Sequence, residues 1–382
     1  MHKQELYLRR IHLFICLLIS ANFCAAQDCN SLTLDDITNP GMYEVASLTE
    51  SDGIRNGPGY ADATIYYPTN ATPPFASIAI VPGFISPQSS IQDWGPFLAS
   101  HGIVAMTIGT NNIFENPENR KDALLDALIT LAEENTRTDS PLLDNMDTNK
   151  MAVGGWSMGG GGAQLAAASD NNIKAVLALC PWLDPNQVSP ADLNHPVPIL
   201  IFSGENDGVA EPSSHANIHY EYTPETTNKL IYEIGNAGHN IANDPTGGQD
   251  EVGKIAISWL KYHLIGDSCY CPLFLDTPST ASNYMTNVVC PEISTATTEI
   301  DFDNHFSYHL YPNPTSGNIN LKVENINHQT NYEIISLAGA KMSSGVLFHE
   351  ITSIDVQNLQ TGIYIMNVKT ALISERIKFM VK

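Results

Sequence analysis

Between Gln27 and about Pro291 the chain alternates short apolar runs with stretches of helical period, and this alternation restricts the fold more than any other feature. The runs are ATIYY, SIAIV, GIVAMTI, KMAVGG, KAVLAL, PVPILIF and KLIYEI. Most are continuous. A strand with one face in water alternates apolar with polar residues, so unbroken runs suit strands covered on both faces. RKDALLDALITLAEEN, the stretch after Met158, and EVGKIAISWLKYHL carry the helical pattern. Strands interleaved with helices predict an α/β fold around a mostly parallel sheet.

The fourth run ends in VGGWSMGGGG, residues 153–162. Gly155-Trp156-Ser157-Met158-Gly159 is a G-x-S-x-G between a strand and a helix, where the pattern makes a sharp turn that lifts the serine oxygen clear of the backbone. Side chains at Gly155 and Gly159 would clash in such a turn, and Gly160, Gly161 and Gly162 let the helix lie close to neighbouring backbone. Its N-terminus then faces any negative charge that develops beside the serine. The bland alternative is a glycine-rich helix start with an idle serine.

A serine hydroxyl is a weak nucleophile; it needs a base, and the base needs an orienting carboxylate. After a nucleophile elbow the chain order is Ser, then Asp or Glu, then His. Asp207 stands in ILIFSGENDGVAEP, directly after an apolar run, and His239 in IGNAGHNIAND, between a strand and the last helix. Asp184 and Glu205 compete with Asp207, and His195, His215 and His219 with His239, but none has the same strand-end placement. An oxyanion needs two backbone donors, one after the nucleophile and one after an earlier central strand. Met158 and Phe84 are the expected pair. Phe84, Trp156, Met158 and Trp182 can flank a flat apolar acyl group, although aromatics near strand ends are commonly core.

With these residues in place, the stretch from about Asp62 to Cys290 resembles the bacterial cutinases and poly(ethylene terephthalate) hydrolases, a polyesterase branch of the α/β-hydrolases. The matching blocks are ATIYYPTN, IAIVPGFISPQSSIQDWGPFLASHGIVAMTI, MAVGGWSMGGGGAQLAA, CPWLD, ILIFSGENDGVAEP and AGHNIAN. The resemblance implies an α/β-hydrolase fold, Ser157, Asp207 and His239 as a triad, and Phe84 and Met158 as oxyanion donors. It also implies Trp182 as a wall of the substrate cleft, with Trp156 beneath it. Three positions depart from the family. Phe84 stands where Tyr is common; Gly204 and Ile241 occupy positions that carry a disulfide in one well-known member; and Asn240 sits where side-chain bulk varies. The expected activity is hydrolysis of polyesters through an acyl-enzyme, with no organic, redox or metal cofactor; no ligand loop specifies calcium. A general carboxylesterase or lipase, and a non-catalytic surface binding protein on a hydrolase scaffold, are the rival readings.

The last 75 or so residues differ. LYPNPTSGNINLKV, YEIISLAGAKM, LQTGIYIMNVKT and RIKFMVK are short alternating runs separated by turn residues, which predict a small antiparallel β-sandwich. Residues 308–382 hold six basic and five acidic residues, so the strong acidity of the chain lies before them. YPNPTSGNINL, LAGAKM and the closing strands resemble the C-terminal sorting domain of type IX secretion, which implies contact with that export machinery. A carbohydrate-binding module is the alternative.

The first residues have the order of a cleavable export signal: Lys3, Arg9 and Arg10, an apolar run from Ile11 to Phe23, then Cys24-Ala25-Ala26. The expected organisation is therefore a signal at 1–26, a hydrolase domain at 27–294, a linker at 295–307 and the sorting domain at 308–382. The expected location is secreted or at the cell surface. Cys29, Cys180, Cys269, Cys271 and Cys290 remain after cleavage, an odd number. The cluster at 269, 271 and 290 suggests a disulfide staple, and Cys180 is the candidate buried thiol. A formal charge of −23 repels nucleic acid and anionic lipid and leaves the substrate open. A monomer is expected.

Overall fold

The computed structural model describes Cys29 and residues 32–291, 308–323, 330–336, 340–347, 349–369 and 374–382. The expected signal at 1–26 and linker at 295–307 lie outside the described residues. Two compact units divide between Thr295 and Ala296.

The first unit is built on nine strands: β1 (Val45–Thr49), β2 (Ala61–Pro68), β3 (Phe75–Val81), β4 (Val104–Gly109), β5 (Met146–Trp156), β6 (Val176–Leu179), β7 (Ile199–Gly204), β8 (Lys229–Ile234) and β9 (Ala281–Thr286). They form one sheet in the order β1-β2-β4-β3-β5-β6-β7-β8-β9. The five inner pairings, from β4 through β3 and β5 to β8, are parallel. The outer pairings β1–β2, β2–β4 and β8–β9 are antiparallel. All seven expected strands are present. β1 and β9 are additional, and their half-exposed residues explain why no apolar run announces them.

Helices α1 (Trp94–Ser100), α2 (Pro117–Glu134), α3 (Met158–Ser169), α4 (Ala216–Tyr222) and α5 (Glu251–Leu260) cover the sheet; α1 and α4 were not expected. The core lies on both faces, as the continuous apolar runs require. Ile78 and Ile80 of β3 pack with Trp94, Ile255 and Trp259. Their neighbours Ala79 and Val81 pack on the opposite face with Ala123, Leu124 and Ala127 of α2 and Ala163 of α3. Each large apolar side chain buried this way contributes about 1.5–3 kcal/mol. The start of α2 is fixed by Asn116, whose side chain accepts from the Asn119 N–H at 3.0 Å, and by Pro117 at the first helical position. Along α3, a Cβ at Gly162 would stand 2.9 Å from the Pro117 carbonyl oxygen, so only glycine admits α2 this closely.

The second unit contains two antiparallel sheets. One is β10 (Tyr308–Tyr311), β11 (Asn318–Val323) and β14 (Ile351–Asp355); the other has the order β13 (Lys341–Leu347), β12 (Thr330–Ser336), β15 (Gly362–Lys369) and β16 (Ser374–Val381). Ile319, Leu321 and Ile354 of the first sheet share a core with Ile334, Met366, Val368 and Phe379 of the second. This is the small sandwich that the alternating runs predict.

Two disulfides close the first unit, Cys29–Cys269 and Cys271–Cys290, and Cys180 is free and buried. The pairing was open from the sequence; the free thiol is the expected one.

Candidate active site

Ser157 follows β5 directly, at the carboxyl edge of the sheet, where open α/β sheets bind their ligands. Its backbone is held at φ 58° and ψ −121°. A non-glycine residue there stores about 1–3 kcal/mol of strain, and persists only when its surroundings enforce it. Here they do: the Ser157 N–H donates to Leu179 O at 2.8 Å, and Ser157 O accepts from Trp182 N at 2.9 Å and Gly161 N at 3.1 Å. The flanking glycines answer to crowding. A Cβ at Gly155 would lie 2.3 Å from Gly159 O, and one at Gly159 would lie 2.4 Å from Val81 O.

His239 Nε2 lies 2.9 Å from Ser157 Oγ, and Nδ1 lies 2.7 Å from Asp207 Oδ2. Asp207 Oδ1 accepts from the Val209 and Ala210 N–H groups, each at 2.8 Å. Burial pushes the Asp207 carboxyl up, but the His239 hydrogen bond and the two backbone donors outweigh it and hold the group below the usual carboxylate range. Trp156, only 8% exposed, donates its indole N–H to His239 O at 2.9 Å, with its ring 5.1 Å from the imidazole. Trp156 therefore supports the histidine from below. The Asp207 and His239 loops are joined by Asn206 N to Ala237 O at 2.7 Å and Asn236 N to Glu205 Oε2 at 2.7 Å.

The competing residues make other contacts and none bonds to Ser157 among the described residues. Asp184 is tied to Asn186 and Gln187, Glu205 to the Asn236 amide, and His219 is buried against Gln164. His195 is buried next to the Val197 backbone. His215 stacks on Trp182, ring centroids 5.8 Å apart. Cys180 also approaches the site, with a ligand atom within 4.8 Å of those of Asp207 and His239. Burial pushes its thiol up, so it stays protonated at neutral pH, and both Asp207 oxygens are already engaged; the cluster is a poor metal cage.

Phe84 and Met158 flank the serine from two elements. Gly83 is so close that a Cβ on it would lie 2.8 Å from Ser157 Cβ, and the Phe84 N–H that follows has no acceptor among the described residues. Met158 opens α3, so its N–H belongs to the group that a helix leaves without an internal partner. Phe84 is 43% exposed and meets Phe114, 61% exposed, edge to face at 5.9 Å. Ile85 and Ile113 are exposed beside them, the Ile85 N–H donating to Ile113 O at 2.8 Å, and Val209 is exposed on the Asp207 loop. A groove of about 430 Å³ is lined by Met158, Leu165, Trp182, Leu183 and Asp184, and by Asn116 and Pro117 just after Phe114. Phe114 and Ile113 escaped the sequence reading. Their only signal was two adjacent apolar residues in the polar stretch TNNIFENPEN.

Residues 37–291 match the family described as PET hydrolase-like, and residues 309–382 match the secretion system C-terminal sorting domain. Among curated proteins, the bis(hydroxyethyl) terephthalate hydrolase of Streptomyces coelicolor is 36% identical over 241 residues, which cover 61% of this chain and 72% of that protein. Cutinase est1 of Thermobifida alba is 33% identical over 241 residues, covering 61% of this chain and 76% of its own. Lipase 1 of Moraxella sp. is 31% identical over 242 residues, covering 62% and 70%. A chain that ends in such a sorting domain is secreted or held at the cell surface. The strand order, the elbow and these matches agree: the chain belongs to the PET hydrolase-like family and carries a secretion sorting domain at its C-terminus.

Proposed function

We propose that this protein is an exported serine esterase that hydrolyses polyesters, with Ser157, His239 and Asp207 as its triad. The observation that carries the reading is the unbroken chain of hydrogen bonds from Ser157 Oγ through His239 to Asp207, set beside an exposed apolar shelf. His239 Nε2 takes the serine proton as Oγ attacks the ester carbonyl, and Asp207 fixes the tautomer that leaves Nε2 free and stabilises the imidazolium. The Phe84 and Met158 amides receive the oxyanion. Collapse expels the alcohol, protonated by His239, and leaves an acyl group on Ser157. Water deprotonated by His239 then releases the acid.

Phe84, Met158 and Trp182 contact the acyl group, and Trp156 acts through His239. The relatives named cutinase favour a polyester, as does the exposure of Phe84, Phe114 and Ile113 next to the nucleophile, and the relative named for bis(hydroxyethyl) terephthalate, a small aromatic diester, favours an aromatic acyl group. A monomer suffices, because one chain supplies every group. The hydrolase occupies 27–294 between a cleaved signal at 1–26 and a linker at 295–307, and 308–382 addresses it to the type IX machinery. The test is release of soluble product from an aromatic polyester film, beside hydrolysis of p-nitrophenyl butyrate, with Ser157→Ala as control. Activity on the small ester alone would leave a general esterase. No reaction of Ser157 with an organophosphonate would leave a binding protein.

A further inference from the structure

Among the described residues, Arg120 is the largest charged side chain that is fully buried, at 0% exposure, and no carboxylate lies within salt-bridge distance of it. Burying a cation without a paired anion is costly, so its donors must be well used. Its four hydrogen bonds among the described residues all go to main-chain carbonyls. Nε donates to Pro82 O at 2.9 Å and Nη2 to Gly83 O at 2.7 Å, while Nη1 reaches Glu115 O and Asn116 O. Burial pulls the guanidinium down to about 10, against the pull of Glu115, and it remains charged at neutral pH.

The Gly83 carbonyl and the Phe84 N–H belong to one peptide unit. In a planar trans peptide they point in opposite directions. A guanidinium that grips Gly83 O from the α2 side therefore turns the Phe84 N–H away from α2, and Gly83 itself packs against Ser157. The same contact puts a positive charge one peptide unit behind the donor, in surroundings where water does not screen it. The fork also joins two segments, because Pro82 and Gly83 follow β3 whereas Glu115 and Asn116 lead into α2 beside Phe114.

We infer that Arg120 is a positioning residue for the oxyanion hole: its fork on Pro82 O and Gly83 O aims the Phe84 N–H at the oxygen that becomes negative, and its charge strengthens that donor. The inference rests on the proposed serine mechanism. It differs from a purely structural role in what it predicts for an atom exchange in the substrate. A thiono ester develops its charge on sulfur, a larger and weaker hydrogen-bond acceptor, and so gains less from the hole than the ordinary ester.

The experiment compares kcat/KM for p-nitrophenyl butyrate and its thiono analogue in the wild type, Arg120→Lys and Arg120→Gln, with Ser157→Ala as the blank. Loss of aim by one donor lowers the rate on the ordinary ester by about 10²-fold, expressed mainly in kcat. The thiono ester slows much less, so the preference for oxygen collapses in Arg120→Gln. Arg120→Lys keeps the charge without the two-carbonyl fork and falls in between. A ratio of two rates in one preparation does not depend on the folded fraction, so partial unfolding of a variant leaves the readout intact. If both esters slow equally, or neither slows, Arg120 serves only the fold and the inference fails. If the wild type does not cleave the ordinary ester faster than Ser157→Ala, the serine mechanism fails instead.

Discussion

Substituting Gly159→Ala tests whether close backbone approach sets the site. The added Cβ would stand 2.4 Å from Val81 O and 2.7 Å from Pro82 O, against the ordinary minimum near 3.4 Å. Neither neighbour is a flexible side chain: Val81 ends β3, and Pro82 is gripped by Arg120. The N-terminus of α3 must therefore retreat by roughly 1 Å from the segment that carries Phe84, widening the gap between the two proposed oxyanion donors. Overpacking of this kind costs about 1–3 kcal/mol. For a unit of this size each kcal/mol lowers Tm by about 2–4 °C. A displacement near 1 Å at a reacting centre costs about 10²-fold in rate. The control is Gly208→Ala, next to Asp207, where a Cβ would meet nothing within 4 Å. Thermal melting and kcat on p-nitrophenyl butyrate read both variants. Equal behaviour of the two, or a fully active Gly159→Ala enzyme, would refute the argument from close approach.

Other expectations follow from the same contacts. Because Asp207 is held below the usual carboxylate range, its contribution to stability is present above a pH of about 4 and is lost as the pH falls through its lowered folded value. The Tm difference between the wild type and Asp207→Asn should shrink in that acid range, and a difference constant down to pH 2 would contradict it. Of the two disulfides, Cys29–Cys269 spans 240 residues and Cys271–Cys290 spans 19. Loop closure assigns them about 5 and about 3 kcal/mol, so a Cys29→Ser, Cys269→Ser double variant should unfold at lower denaturant than the Cys271→Ser, Cys290→Ser one. Cys180, buried with its thiol pushed up, should resist a thiol-specific chromogenic reagent in the native protein and react only after denaturation.

The inner sheet was legible because each of its strands is buried on both faces and writes an unbroken apolar run. The edge strands β1 and β9 were not: VASLT and ASNYMT carry polar residues on half-exposed faces, and their pairing is decided by the strand they meet. The triad candidates were legible because each sits at the end of a recognisable strand, in an order that the fold dictates. Arg120 was illegible for the opposite reason. In NRKDALL it reads as one more solvated charge at the start of a helix, since its partners are carbonyl oxygens and leave no side-chain signature. Pairing of Cys29 with Cys269 was likewise beyond sequence, because nothing local brings residues that far apart into contact.

That bond also bears on how the enzyme wears out. Cys29 and Cys269 lie near the two ends of the hydrolase unit, so the bond turns most of the unit into a covalent ring. A single cut by a foreign protease in an exposed loop of that ring opens it without releasing a fragment, and the halves stay at high local concentration around the shared sheet. Outside the cell, where no chaperone refolds damaged protein, an enzyme so closed tolerates its first nick and is lost only at the second.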